Sequence, residues 1–235
     1  MTNERIVAIV DDRKINRERQ ADYLRDKGFE PHIITVHLKS IPTLLLLVNQ
    51  AKAMYALCDH RLNEGDFANF FGAEAVAAFY DNHVVSPVLY TAYRRDYLET
   101  SIRRYRRKIP AMVHYEDMNA DTLEAGFLSS HREVVEGIIP KDRQPFPTLM
   151  KVLDIFQEGD ETIVKVVVPQ WDPSQQLGFP LTMLPSEMQS SIHIGSFLRG
   201  NVNVDAKVPE DIFFEDFSFP HPEDLRRLES ERNHT

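Results

Sequence analysis

The 235-residue chain has one cysteine, Cys58, so no internal disulfide can staple it. No apolar run approaches the roughly 20 residues that a membrane-spanning helix requires. The opening stretch Met1-Thr2-Asn3-Glu4-Arg5 is polar, and the apolar run behind it spans only about five residues, too few for a signal peptide. There is no internal repeat and no low-complexity tract. Basic residues are scarce towards the C-terminus: residues 146–235 hold 7 Lys and Arg against 15 Asp and Glu, a charge of −8. Residues 1–145 hold 20 against 21, which together gives the net −9. A segment charged in this way repels a phosphate backbone, so a nucleic-acid partner is not expected. A cytoplasmic protein with no membrane span is expected.

What is present is concentrated in the first half. Three apolar runs of strand length each deliver small polar residues at their C-terminal ends. Ile6–Val10 runs into Asp11 and Asp12, Ala53–Cys58 into Asp59, and Ser86–Tyr90 into Thr91 and Ala92. In an open parallel α/β sheet those ends face one crevice, where ligands sit. Three carboxylates and a hydroxyl there suit a hard divalent cation and a phosphoryl group.

The spacing predicts alternating strands and helices. A helix over about 14–27 ends at Gly28, and a strand follows over Pro31–Val36. Ile41, Leu44, Leu45 and Val48 share the i, i+3, i+4, i+7 face of a second helix. Ala75, Val76, Phe79 and Tyr80 mark a third, a charged fourth spans about 94–107, and Leu123, Phe127, Val134 and Ile138 mark a fifth. A weaker fifth strand lies at Ile109–Val113. The expected fold is α/β: a doubly wound, five-stranded parallel (βα)5 domain over 1–139. Three prolines between Pro140 and Pro147 make 140–147 a linker. Beyond it, Leu149–Gln157 and Glu161–Pro169 read as a hairpin around Glu158-Gly159-Asp160, and Phe197–Asp205 and Ile212–Phe219 as further strands. A small all-β interaction domain is therefore expected over 148–220, followed by a charged tail at 221–235. Trp171 and Phe213–Phe217 are read as core aromatics or as an interaction surface.

The acidic pair Asp11-Asp12, the lone Asp59 and the Thr91-Ala92 pair, 47 residues from Asp12 to Asp59 and 32 from Asp59 to Thr91, resemble the receiver domain of bacterial two-component response regulators. The resemblance covers about residues 4–138. It implies that Asp59 accepts a phosphoryl group from a sensor histidine kinase. It implies a Mg2+ ion held by Asp12, Asp59 and the backbone carbonyl of Arg61, with Asp11 acting mainly through water. Thr91 would hydrogen-bond a phosphoryl oxygen, and the small Ala92 would leave that oxygen reachable. The receiver would control a protein effector or its own β domain. One departure is plain: receivers carry a Lys at the end of strand five, and here the stretch is Met112-Val113-His114-Tyr115-Glu116. His114 is the expected occupant of that position, since Lys108 stands at the wrong end of the strand, and Ala111 falls where an aromatic switch residue is usual. Two other readings stand beside this one: a pseudo-receiver adaptor working without phosphorylation, and an aspartate-nucleophile phosphatase. Against the last, no Asp follows two residues after Asp59. The run Arg103–Lys108 is a solvated helix end, or a contact for a partner or for the acidic C-terminal domain of the same chain.

Overall fold

The computed structural model describes residues 5–62, 66–92 and 100–224. The chain divides into two compact units. The first comprises Met1–Tyr97 and Lys108–Ile139, the second Leu98–Arg107 and Pro140–Thr235.

The first unit is the expected α/β sheet. Strands β1 (Ile6–Val10), β2 (Glu30–Ile33), β3 (Tyr55–Asp59), β4 (Ser86–Thr91) and β5 (Met112–His114) are all parallel, in the order β2-β1-β3-β4-β5. That order reverses between β1 and β3, the switch point at which ligands collect in such sheets. Helices α1 (Lys14–Asp26), α2 (Ile41–Gln50), α3 (Gly72–Asn82) and α5 (Ala120–Val134) flank the strands. Helix α1 stops where Gly28, at φ +71°, donates to Arg25 and the next N–H, of Phe29, reaches back to Leu24. This double closure needs a left-handed residue, which glycine adopts without strain. Central strands β3 and β4 are buried along their whole length, which is why their sequences run apolar without alternation. Phe29, Tyr55 and Phe127 meet with ring centroids 5.2–5.6 Å apart at the centre of one core. Truncating Phe127 to Ala would cost about 3–5 kcal/mol, the usual range for a buried aromatic.

The second unit is a separate antiparallel sheet. Strands β6 (Phe146–Glu158), β7 (Glu161–Val168), β8 (Asp172–Pro180), β9 (Phe197–Val202) and β10 (Phe214–Ser218) take the order β10-β9-β6-β7-β8. The first four form a Greek key, with β9 returning past the short helix α6 (Ser186–Gln189) to lie beside β6. Strand β6 is long enough to serve two partners: Phe146–Lys151 pairs with β9 and Lys151–Glu158 with β7, with a register shift between Val152 and Asp154. The hairpin turns on two residues rather than three, because Glu158 and Glu161 already pair and Gly159 takes φ +56°. Phe179 of β8 packs 5.0 Å from Phe214 and 4.9 Å from Phe217 of β10, so the two edges of the sheet curl towards one another. Trp171, Phe214 and Phe217 belong to this core, with the indole N–H donating to the Ala206 carbonyl at 2.9 Å.

Two boundaries read from the sequence shift. The stretch 140–147 holds a short 3-10 turn, Lys141–Arg143, and the start of β6, so its prolines flank ordered backbone. The charged helix expected over 94–107 is described from Thr100: helix α4 (Thr100–Tyr105) and the 3-10 turn Arg106–Lys108. Its residues 94–99, like the tail after Asp224, lie outside the described residues.

Residues Leu98–Arg107 group with the β unit because of their arginines. Arg103 and Arg106 are only 4% and 3% exposed. Arg103 donates to the carbonyls of Pro209 and Ile212. Arg106 donates to the Glu210 carbonyl at 2.9 Å and to Asp211 Oδ1 at 2.6 Å. Arg104 pairs with Glu161 and Arg107 with Glu215. Burial, and Arg106 alongside, lower the pKa of the Arg103 guanidinium, while Glu210 and Asp211 oppose that shift. The acidic excess of the C-terminal sequence is thus partly met by cations from another part of the chain. Lys108 instead pairs with Asp81 at 2.6 Å in the first unit. No helix among the described residues is long and apolar enough to cross a membrane.

Candidate functional site

The C-terminal ends of β1, β3 and β4 bring their polar residues to one cavity. Its volume is about 340 Å3, and its walls are Asp12, Arg13, Asn16, Asp59, His60, Arg61, Tyr90, Thr91, Ala92 and Tyr115. Carboxylate oxygens of Asp11, Asp12 and Asp59 lie within 4.8 Å of one another.

Asp11 is fully buried and held on both oxygens. The Arg13 N–H donates to Oδ1 at 2.8 Å and Gln20 Nε2, from α1, to Oδ2 at 2.9 Å. Burial raises its pKa, the nearby Asp12 adds to the rise, and the hydrogen bonds from Arg13 and Gln20 oppose it. Arg17 ties the turn down by donating to the carbonyls of Asp11 at 2.7 Å and Asp12 at 3.3 Å. The helix behind this turn has Arg13, not Asp12, at its N-cap, and the Arg13 side chain makes no capping hydrogen bond.

Asp59 ends β3 with 9% of its surface exposed, and the Arg61 N–H donates to its Oδ2 at 3.2 Å. Its pKa is pushed up to about 7, first by burial and then by the charges of Asp11 and Asp12, against the opposing backbone hydrogen bonds of Arg61 and His60. Three carboxylates this close repel one another, and a divalent cation relieves the repulsion directly. Oxygen ligands of Mg2+ at about 2.0–2.1 Å stand about 4 Å apart across the ion, close to the spread of these side chains. The donor set thus fits a hard, oxygen-liganded cation.

The backbone after Asp59 is pinned as firmly as the side chain. The His60 N–H donates to the Tyr90 carbonyl, and the Gly72 N–H to the His60 carbonyl, both at 2.8 Å. The His60 ring is buried and stacks on Phe71, with centroids 5.4 Å apart. Thr91, 1% exposed, and the exposed Ala92 complete the rim.

Strand five contributes differently from expectation. His114 pairs in register with Thr91, but it lines a separate groove with Met112, Glu116, Asn119 and Thr122. Tyr115, the next residue, lines the carboxylate cavity instead. Sequence reasoning missed Tyr115, Tyr90 and Gly72. Tyr90 sits in an apolar run that reads as core, and Gly72 is a lone glycine opening a helix.

No protein-family model matches the chain, and no curated protein matches it. Solved structures similar to it are receiver domains aligned with its N-terminal part, and nothing is recognised for the C-terminal part. The signal receiver domain of a modulated diguanylate cyclase from Desulfovibrio desulfuricans G20 is 16% identical, with the match covering 57% of this chain and 99% of that one at a TM-score of 0.46. The signal receiver domain of an HD domain-containing protein from Pseudomonas fluorescens Pf-5 is 12% identical, over 58% of this chain and 94% of that one, with a TM-score of 0.45. A response regulator protein from Burkholderia pseudomallei, whose structure holds a phosphorylated aspartic acid, a calcium ion and citrate, is 16% identical over 57% and 73%, with a TM-score of 0.42.

Proposed function

We propose that the first unit is the receiver of a two-component response regulator and that Asp59 is its phosphoryl acceptor. The observation that carries this reading is the convergence of Asp11, Asp12 and Asp59 beside Thr91 and Ala92 on one cavity. A carboxylate oxygen of Asp59 forms the new O–P bond while the P–N bond of a phosphohistidine on a sensor kinase breaks, and the bonding pair leaves with the imidazole nitrogen. Asp12, Asp59 and the Arg61 carbonyl would hold Mg2+, with Asp11 fixing a water ligand. When bound, the ion offsets the repulsion between the carboxylates and the incoming phosphoryl oxygens. Thr91 donates its hydroxyl proton to a phosphoryl oxygen, and Ala92 leaves that oxygen room. The second unit, without a basic surplus, engages a protein partner rather than nucleic acid, and the protein works in the cytoplasm.

A pseudo-receiver reading has one observation in its favour: among the described residues, no lysine lines the cavity. Incubation with acetyl phosphate and Mg2+, followed by intact-mass measurement, separates the two. A gain of one phosphoryl group that is lost in Asp59→Asn supports the acceptor. No gain in the native chain supports the adaptor, and multiple turnover of the donor supports a phosphatase.

A further inference from the structure

The carboxylate cavity holds an arrangement that the comparison with receivers does not supply. Arg19, half-buried on α1, donates from Nη1 to the Tyr115 hydroxyl at 2.8 Å and from Nη2 to the Tyr90 hydroxyl at 3.3 Å. Its guanidinium carbon stands 4.5 Å from the centroid of the Tyr115 ring, and the two phenol rings lie 6.0 Å apart. Both tyrosines line the cavity. One cation thus holds two phenols that border Asp59 and Thr91.

A phenol hydroxyl carries one proton and two acceptor sites. With Arg19 occupying an acceptor site on each oxygen, each hydroxyl keeps its proton for another partner. Among the described residues, neither Tyr90 nor Tyr115 has a protein acceptor for it. A guanidinium bound to the oxygen polarises the O–H and makes it a stronger donor. The guanidinium also stays charged at any working pH, so its positive potential persists behind the phenols.

Resting on the phosphoryl-acceptor reading, we propose that Tyr115 and Tyr90, polarised by Arg19, anchor the phosphoryl oxygens in place of a strand-five lysine. Tyr115 and Tyr90 are the contacting donors, and Arg19 is a positioning residue that acts through them. Tyr90, 1% exposed, is fixed by the core, whereas Tyr115, 45% exposed, forms the open lip. Arg13 and Arg61, the arginines on the wall itself, are exposed, and His114 lines a different groove. Among the described residues, Arg19 alone carries hydrogen bonds to both phenols of the wall.

The test uses the full-length chain with Mg2+ and beryllium trifluoride, an analogue that binds a carboxylate as a phosphoryl group would, followed by 19F NMR. Tyr115→Phe removes one hydroxyl and should weaken analogue binding about 10-fold or more, as expected for a hydrogen bond to a charged group. Arg19→Gln should weaken it similarly. Mg2+ affinity measured without the analogue should stay unchanged in both, which a merely structural defect would not permit. Native binding with Tyr115→Phe and Arg19→Gln within twofold of it overturns the proposal and leaves the acceptor reading standing. Loss in Arg13→Ala, with both other variants intact, also overturns it. A native chain that binds no analogue overturns the acceptor reading, and the anchor with it.

Discussion

A Cβ built on Gly72 would stand 1.8 Å from the carbonyl oxygen of Asp59 and 2.7 Å from its carbonyl carbon. Helix α3 therefore begins in direct contact with the backbone that presents the Asp59 carboxylate, at a distance only glycine allows. Gly72→Ala must push Asp59 or α3 aside, and such overpacking costs about 1–3 kcal/mol. Reduced stability together with weakened Mg2+ binding, by calorimetry on the full chain, is the expected result.

The repulsion at the site predicts a pH dependence of stability. Burial, with the charges of Asp11 and Asp12, pushes the folded-state pKa of Asp59 up to about 7, against about 3.9 for an unfolded Asp. Between those values the native state holds a proton that the unfolded state has released, so stability falls as pH rises through the window and levels off above it. The difference corresponds to about 4 kcal/mol. The raised pKa of Asp11 acts with the same sign. In metal-free protein, amide exchange of β1, β3 and β4 should accelerate from about pH 4 to about pH 7 beyond its intrinsic dependence. Asp59→Asn should remove most of that excess.

The arginines of the second unit should separate by burial. Arg106 has a side chain 4% exposed, and truncating it leaves the Glu210 carbonyl without this buried donor, which costs about 1–3 kcal/mol. Arg104 and Glu161 are 38% and 35% exposed, so Arg104→Ala should cost under about 1 kcal/mol. Trp171, with its N–H on Ala206, reports unfolding of this unit by fluorescence. A fragment beginning at residue 140 lacks the Leu98–Arg107 segment and should unfold at lower denaturant than the unit in the full chain.

Cys58 is fully buried in β3, and desolvation raises its thiol pKa further, with the Asp59 charge adding to the effect. Iodoacetamide should leave the folded protein unmodified at neutral pH and alkylate one site after denaturation.

The parallel sheet was legible because its strands are buried on both faces, so β1, β3 and β4 announce themselves as unbroken apolar runs. The three aspartates were legible because each closes such a run. Strand β8 was not: Asp172–Pro180 alternates poorly, opens and closes with prolines, and lies at a sheet edge where polar residues are tolerated. The allegiance of Leu98–Arg107 was legible only as one of two alternatives, water or the acidic C-terminal domain, since a basic run at a helix end looks the same whether it meets water or buried carbonyls. Tyr115 was passed over for His114 because it lies just past β5, at the start of the 3-10 turn Tyr115–Asp117, where strand alternation no longer says which side chain reaches the cavity. Gly72 gave no pattern at all; its constraint arises from a residue 13 positions earlier in the chain.

Acyl phosphates are reduced by borohydride, which converts the modified aspartate to homoserine. Peptide mapping after acetyl phosphate, Mg2+ and borohydride treatment of the native chain therefore locates the acceptor residue by residue. The account predicts homoserine at Asp59 alone, formed only with Mg2+ present and reduced in rate by Tyr115→Phe. Conversion at any other carboxylate, or none at Asp59 while the full chain remains folded and binds Mg2+, would contradict it.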